Sequence, residues 1–225
     1  MSRDVWSRQL RIAGSDSISV ADALERDLPA GGLQHAGGAV LRVEEPEVLD
    51  AVVRRLIAAL DQRSWTGDKE LIAELEHHVA RTSSQLLPLS VELDWLGEAL
   101  DQPVSSESFI DVADGSLWPA ILFEDDQGPA DFDPSSDRWL PVIGQGSPPK
   151  YEVMQRFTTT VDQPDLASRL CDALVGSGAF RKFQKTLSRN EREYTRWHLF
   201  SGDARLGRAR NWLADHGYRS HRPQP

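Results

Sequence analysis

Apolar residues recur at helical spacing through most of the chain, and this periodicity is the strongest constraint on its fold. Two segments, 45–60 and 67–81, show it most clearly. The side chains that align on one face are Val48, Val52, Leu56 and Leu60 in the first segment and Leu71, Leu75 and Val79 in the second. Because only the short stretch RSWTG separates the two segments, they are predicted to form an antiparallel helix pair.

The same reasoning predicts helices along much of the remaining chain. These helices cover residues 17–28, 90–100, 147–161, 163–176, 179–188 and 191–217. The last segment is either one long helix or two helices interrupted near Ser201 and Gly202. Gly217 is its predicted C-cap, since glycine adopts the left-handed conformation in which many helices end.

Strand signals are fewer and concentrate in the middle of the chain. A glycine-rich connection over 31–38 leads into a predicted short strand at 39–43, and 138–143 predicts another. Two β-rich runs flank the turn ADGS, which predicts a hairpin over 108–124. The acidic stretch 124–137, rich in Pro, Gly and Ser, is typical of a loop or linker.

These patterns together predict an α+β fold that is predominantly helical. Its small antiparallel sheet centres on the hairpin near 108–124, and its C-terminal half is helical. Along the sequence we expect a mainly helical N-terminal region, 1–87, and an α+β domain, 88–225, with a basic helical C-terminal half. A single integrated domain is the alternative, because 225 residues suit either arrangement.

Cysteine content and hydropathy favour a cytoplasmic protein. The one cysteine, Cys171, excludes an internal disulfide and suits a reducing compartment. It follows Leu170 within a predicted helix, so we expect it to be a small buried apolar residue. The N-terminal MSRDVWSRQLRIAGSDS lacks the apolar core of a signal peptide, and apolar runs such as LIAAL are too short to span a bilayer, so no membrane partner is expected.

Charge is distributed unevenly along a chain whose net charge is −10. Residues 177–225 contain 11 Lys and Arg against 4 Asp and Glu, whereas residues 1–176 contain 14 and 31. A basic C-terminal region of this kind can neutralise the acidic remainder of the same chain. It can also bind nucleic acid or an acidic protein partner.

The densest cluster of cations follows the stretch GSGAFRKFQKTL, residues 176–187. The predicted electrostatic patch consists of Arg181, Lys182, Lys185, Arg189, Arg192 and Arg196. Tyr194, Trp197 and Phe200 are interleaved with cations, a combination that suits phosphate contacts and base stacking. In most folded proteins such aromatic residues belong to the core and the cations to the solvated face.

Gly176, Ser177 and Gly178, just before these cations, allow two interpretations. The loop could bind an anion through backbone N–H groups at the start of the next helix, helped by Arg181 and Lys182. It could instead be a corner between two helices, with Phe180 and Phe183 packing inward. No Walker A spacing is present, and the preceding element is a predicted helix rather than the strand of a Rossmann motif.

A family resemblance covers just over half of the chain. The stretches that carry it are, in order, VELDWLGEALDQ, FIDVADGSLWP, YEVMQRF and ALVGSGAFRKFQKTL, followed by TRWHLF and NWLADHG. On these stretches, residues from about 90 to 217 resemble a widespread bacterial protein family that has no assigned activity. The resemblance implies an α+β fold with a small sheet and a helical C-terminal half, and it implies no chemistry.

No motif in the sequence indicates a catalytic or metal site. His77 and His78 are adjacent rather than four apart, so they do not share the helix face that chelation needs. Glu74 lies four residues before His78 and could join it, but a third ligand is not evident. Asp131 and Asp133 lie in the acidic stretch, where a solvated loop is the ordinary interpretation. No G-x-S-x-G elbow occurs, and no Cys–His framework surrounds Cys171. We therefore expect no metal and no cofactor.

The leading functional hypothesis is a non-enzymatic cytoplasmic interaction or regulatory protein. It would bind an acidic protein partner through the basic helical C-terminal face. A nucleic-acid-binding protein that uses the same face is the first alternative. An enzyme whose site the sequence does not announce is the second. A homo-oligomer is compatible with each hypothesis, and the sequence does not decide whether the chain is an enzyme.

Overall fold

The computed structural model describes residues 17–43, 49–124 and 127–221. Its helices are α1 Ser17–Arg26, α2 Leu33–Val40, α3 Asp50–Arg63, α4 Asp68–Ala80, α5 Leu93–Leu100, α6 Ile121–Glu124, α7 Pro148–Thr158, α8 Pro164–Ala173, α9 Ala179–Leu187 and α10 Glu191–Asp215. Its strands are β1 Leu87–Leu89, β2 Glu107–Asp111, β3 Leu117–Pro119, β4 Trp139–Ile143 and β5 Tyr218–Ser220. A short 3-10 turn, Ala30–Gly32, precedes α2.

The α+β prediction is confirmed, with helices dominating and a small antiparallel sheet of order β3-β2-β4. The predicted hairpin is present, since β2 pairs with β3 and Phe109 lies opposite Trp118. Its predicted extent to 124 is wrong, because β3 ends at Pro119 and residues 121–124 form helix α6. The predicted strand at 138–143 is also present, as β4. A parallel pair of three-residue strands, β1 with β5, was not predicted, because each strand is too short to show periodicity.

The described chain divides into two compact units that are discontinuous in sequence. The first unit contains the described residues up to 83 together with 150–207, and the second contains 84–149 together with 208–221. The predicted boundary at 87/88 lies close to residues 83 and 84, where the chain first leaves the first unit and enters the second. The division of the sequence into 1–87 and 88–225 stays a prediction. In the structure the chain returns to the first unit over residues 150–207.

Two apolar clusters form the core of the first unit. One contains Leu56 and Leu60 of α3 and Leu71 and Leu75 of α4, so the predicted helix pair is confirmed by its buried faces. The predicted start at 45–48, with Val48, lies outside the described residues. The other cluster is aromatic and surrounds Phe157, which is fully buried. The rings of Phe183, Trp197 and Phe200 contact Phe157 edge-on, with centroid distances of 6.3, 5.2 and 5.3 Å, the geometry that aromatic quadrupoles favour.

The prediction of a connection at 31–38 and a strand at 39–43 is wrong. Residues 33–40 form helix α2, in which Leu33, Ala36 and Val40 lie at helical spacing and are fully or almost fully buried. A Cβ atom on Gly37 would lie only 2.5 Å from the side chain of Leu71. The glycine is therefore required by close packing against α4, and this packing overrides the low helix propensity of the segment.

The core of the second unit lies between its sheet and its helices. Ile110 of β2 and Val142 of β4 are buried in the same cluster as Leu96 and Leu100 of α5. Ala209 and Leu213, near the end of α10, complete the cluster. In the pairing of β2 with β4, Phe109 lies opposite Pro141. The neighbouring hydrogen bond from Val112 N to Arg138 O places Pro141 with its nitrogen toward the outer edge, where a missing donor discourages further strand pairing.

The acidic stretch is held against this unit over its described residues 127–137. Arg138 donates to both carboxylate oxygens of the buried Asp111, at 2.9 and 2.6 Å, and also pairs with Asp131. Phe132 stacks on Phe123 with a centroid distance of 3.6 Å. The loop is therefore fixed by one arginine and one aromatic ring, and Asp131 is an ion-pair partner rather than a free carboxylate.

Acid is expected to weaken the ion pair between Arg138 and Asp111, because it protonates the Asp111 carboxylate. Hydrogen bonds from Arg138, foremost, and from the Ala113 N–H hold the pKa of Asp111 below its usual range, although burial opposes them. The ionised carboxylate thus adds stability that is complete above the unfolded pKa of about 4 and is lost as the pH falls through the lower folded pKa. We expect Asp111→Asn to lower the urea midpoint at pH 5.5 and to reduce the further fall between pH 5.5 and pH 3.

Tryptophan fluorescence during urea unfolding at the two pH values measures this effect. Asp137→Asn is the matched control, because it removes one exposed carboxylate from the same loop. An acid-induced fall that is equal in the wild-type and Asp111→Asn proteins would contradict the role given to Asp111.

Candidate functional site

The stretch 174–178 is a corner between α8 and α9, one of the two interpretations left open by the sequence. Gly176 and Gly178 both have positive φ angles, +75° and +74°, which glycine adopts at little steric cost. Leu174 caps α8, and Gly178 is the residue from which α9 begins. The glycines are therefore explained by the turn itself. Anion binding by Gly176, Ser177 and Gly178 stays a prediction.

Helix α9 has one buried face and one cationic face. Ala179, Phe183 and Leu187, spaced four residues apart, are buried. Arg181 and Lys185 are also four apart and are exposed, as is Lys182 beside them. Since residues four apart share a helix face, the apolar residues fix α9 to the first unit, and this packing directs the cations to solvent.

Two of the cations lie back across the corner rather than extending away from it. Lys182 Nζ donates to the backbone oxygen of Val175 at 3.2 Å, across the turn. Arg181 Nη2 lies 3.8 Å from the position that a Cβ atom on Gly178 would occupy. The corner therefore carries positive charge on its exposed backbone.

The predicted patch continues to Arg189 and Arg192 but does not include Arg196. Arg189 is exposed between α9 and α10, and the side chain of Arg192 is 75% exposed. Arg196 is only 13% exposed and donates to Glu193 at 2.6 Å and to both the hydroxyl and the backbone oxygen of Thr160. Its guanidinium also lies over the ring of Phe157, so Arg196 ties α10 to the end of α7. We call the remaining five cations the basic face: Arg181, Lys182, Lys185, Arg189 and Arg192.

The aromatic residues interleaved with these cations are mostly core residues. Trp197 and Phe200 are 7% and 3% exposed and belong to the aromatic cluster around Phe157. Tyr194 is 37% exposed, and its ring contacts His198 edge-on at 4.5 Å. Trp197 and Phe200 are therefore not available for stacking on nucleic-acid bases.

Two predicted burial states near the corner are wrong. Phe180 is 37% exposed rather than packed inward, because it lies between the buried and cationic faces of α9. Cys171 is exposed rather than buried, since Leu170 and Ala173 occupy the inward face of α8. Val175, at the end of α8, is 71% exposed. The corner thus presents apolar surface beside its cations.

A buried ionic cluster in the first unit was not predicted from the sequence. Arg63 at the end of α3 donates to Asp68 through Nε and Nη2, at 2.9 and 2.5 Å, and to Asp203 at 2.5 Å. The exposed fractions of these three side chains are 7%, 2% and 0%. Asp203 also accepts from the backbone N–H groups of Gln34 and His35, at 2.7 and 3.2 Å.

The charges of this cluster are paired and hydrogen-bonded by groups of the same unit. Burial lowers the pKa of Arg63, but the hydrogen bonds and charges of Asp68 and Asp203 outweigh burial and raise it, so the guanidinium stays charged. Arg63 also donates to Ala30 O at 2.7 Å and lies over the ring of Trp65. The cluster connects α2, α3, α4 and α10. Sequence reasoning missed it because Arg63 and Asp68 fit the pattern of exposed helix termini, and Asp203 is 140 positions from Arg63 along the chain.

The first unit also contains a small cavity beside Trp65. Its volume is about 110 Å³, well below the roughly 300–1,000 Å³ of typical small-molecule sites. The lining residues are Ala30, Gly31, Trp65, Thr160, Arg196, Leu199 and Phe200. Because Arg196 already donates to Glu193 and Thr160, its charge is engaged in structural hydrogen bonds.

Within residues 17–43, 49–124 and 127–221, no three His, Cys, Asp or Glu side chains converge on a possible metal position. His77 bonds Thr82, and Asp133 accepts from the backbone and hydroxyl of Ser135. None of the described helices combines the length and apolar character needed to cross a membrane.

Comparisons with known proteins leave the basic face to be interpreted from its own geometry. No protein-family model, curated protein or solved structure matches the chain. The resemblance of residues 90–217 to a bacterial family stays a prediction.

Proposed function

We propose that the chain is a non-enzymatic cytoplasmic interaction protein whose basic face binds an acidic segment of a partner protein. The observation that carries the proposal is the composition of residues 173–190, which contain Arg181, Lys182, Lys185 and Arg189 and no acidic residue. Among the described residues, no carboxylate lies within 4 Å of the Arg181, Lys185 or Arg189 side chains. These charges are therefore not neutralised by ion pairs within the described chain.

Burial of the aromatic residues favours a protein partner over nucleic acid. Single-stranded nucleic acid binds best where aromatic side chains are open for stacking, whereas Trp197 and Phe200 are in the core.

Removing three of the cations is expected to weaken binding of an acidic peptide. In fluorescence anisotropy with a labelled twelve-residue glutamate peptide, the Arg181→Ala, Lys185→Ala, Arg189→Ala triple variant should bind about tenfold more weakly. Three exposed ion pairs of about 0.5 kcal/mol each account for a change of this size. Raising the salt from about 50 to 300 mM should weaken wild-type binding, because exposed ion pairs are screened.

The matched control replaces three exposed cations on other helices of the first unit, Arg26, Arg54 and Lys69, with alanine. It changes the net charge by the same amount and should bind as the wild type does. Labelled RNA, single-stranded DNA and duplex DNA are measured in the same series. Binding of a nucleic acid in preference to the peptide, lost in the triple variant, would replace the proposal with the nucleic-acid function. Absence of binding to every probe at low salt would reject the basic face as a binding surface.

A further inference from the structure

The basic face is not purely cationic, because two apolar side chains lie among its charges. Val175 is 71% exposed and Phe180 is 37% exposed, and they flank the glycine corner between α8 and α9. Single exposed apolar residues are ordinary on protein surfaces. These two differ because Lys182 bonds the backbone of Val175 and Arg181 follows Phe180 in the chain.

Two observations place positive charge at the corner that Val175 and Phe180 flank. Lys182 Nζ donates to the backbone oxygen of Val175, which places the ammonium at that residue. Arg181 lies next to Phe180 on α9 and approaches Gly178 in the corner. Aromatic residues and arginine are the types enriched at the energetic centres of protein interfaces. Phe180 and Arg181 are of these types. Together with Val175 and Lys182 we call them the corner cluster.

From this juxtaposition we propose that the partner segment carries apolar side chains among its carboxylates, and that Val175 and Phe180 select for them. The inference rests on the proposed function and names the chemistry of the partner more closely. The cations attract the acidic segment, and their contribution depends on charge alone. Val175 and Phe180 add a contribution that depends on the partner's apolar side chains, because contact between them removes apolar surface from water.

Two labelled peptides with the same number of glutamates separate these contributions. In the first peptide glutamate alternates with serine. In the second, two central serines are replaced with leucine. The wild-type protein should bind the leucine peptide about tenfold more tightly, as expected when roughly one apolar side chain becomes partly buried.

Val175→Ser with Phe180→Ser should abolish the preference for the leucine peptide and leave binding of the serine peptide within about twofold of wild type. The control, Ile18→Ser, alters a 66% exposed apolar residue on α1 of the same unit. It should leave both affinities unchanged. Circular dichroism and the thermal midpoint of each variant verify that the fold is retained.

Equal affinity of the wild-type protein for the two peptides would overturn the inference and leave the proposed function intact. So would an equal loss of both affinities in the Val175→Ser, Phe180→Ser variant. If the wild-type protein binds neither peptide, the proposed function itself is rejected. Sedimentation velocity tests whether a second copy of the chain occupies the corner cluster. A wild-type dimer that the Val175→Ser, Phe180→Ser variant abolishes would assign the cluster to that second copy and overturn the inference.

Discussion

Replacing Asp203 with alanine is expected to destabilise the first unit by about 3–5 kcal/mol, the loss measured when one partner of a buried ion pair is removed. Asp203 is fully buried and accepts from Arg63 and from the backbone N–H groups of Gln34 and His35. The alanine variant would bury an under-compensated guanidinium and leave two backbone donors without their acceptor. Urea unfolding followed by tryptophan fluorescence and circular dichroism measures the free energy of unfolding.

The control for Asp203→Ala is removal of an ion pair at the surface. Asp50 pairs with Arg54 on α3, where the two side chains are 48% and 69% exposed. Asp50→Ala should cost less than about 1 kcal/mol, because water solvates both charges and screens their attraction. If Asp203→Ala does not fold, Asp203→Asn keeps the side-chain shape and gives a measurable loss. An Asp203→Ala protein within 0.5 kcal/mol of wild type would show that the cluster does not hold the unit together.

Replacing Gly207 with alanine is expected to destabilise the same unit by about 3 kcal/mol, at the upper end of the cost of overpacking a core. A Cβ atom on Gly207 would lie 2.2 Å from the backbone oxygen of Thr66, and one on Gly67 would lie 2.0 Å from the backbone oxygen of Gly207. The start of α4 and the helix α10 therefore meet backbone against backbone. Because neither side of the contact is a flexible side chain, the clash is relieved only by separating the helices.

The opposite result is expected for Gly38→Ala, a glycine-to-alanine change within helix α2. A Cβ atom there meets only Arg42 Nη1, at 3.9 Å. Alanine loses less backbone entropy than glycine on folding, so we expect a gain of about 0.5–1 kcal/mol. Thermal and urea unfolding of both variants measure the difference. A Gly207→Ala protein as stable as Gly38→Ala would contradict the close approach at Thr66.

The positions of the longer amphipathic helices were the part of the fold that sequence reasoning predicted best. The segment 67–81 became α4 and 179–188 became α9, because each has one uninterrupted apolar face and a glycine at its start. The segment 191–217 is one continuous helix to Asp215, and Gly217 has the positive φ expected of a C-cap. The prediction fails at 31–43 because it treats glycine as a turn signal, whereas Gly37 serves close packing against Leu71 inside a helix.

The candidate site was predictable in its charges but not in its boundaries. Arg181, Lys182 and Lys185 were placed correctly on the exposed side, because the spacing of Phe183 and Leu187 defines the buried face of α9. Arg196 could not be separated from them by sequence, since its partners at Thr160 and Phe157 are 36 and 39 positions away along the chain. The exposure of Val175 and Phe180 likewise depends on how α8 and α9 meet at the corner.

The sequence by itself determined the local structure: the amphipathic helices, the hairpin turn, the glycine corner and the concentration of positive charge after residue 177. Each of these follows from the types and spacing of residues that are close in the sequence. Only the tertiary structure decided which charges are buried, as for Arg63 with Asp203, and which remain available to a partner. The physical reason is that the state of a charge depends on what surrounds it, and those surroundings are assembled from segments more than a hundred residues apart.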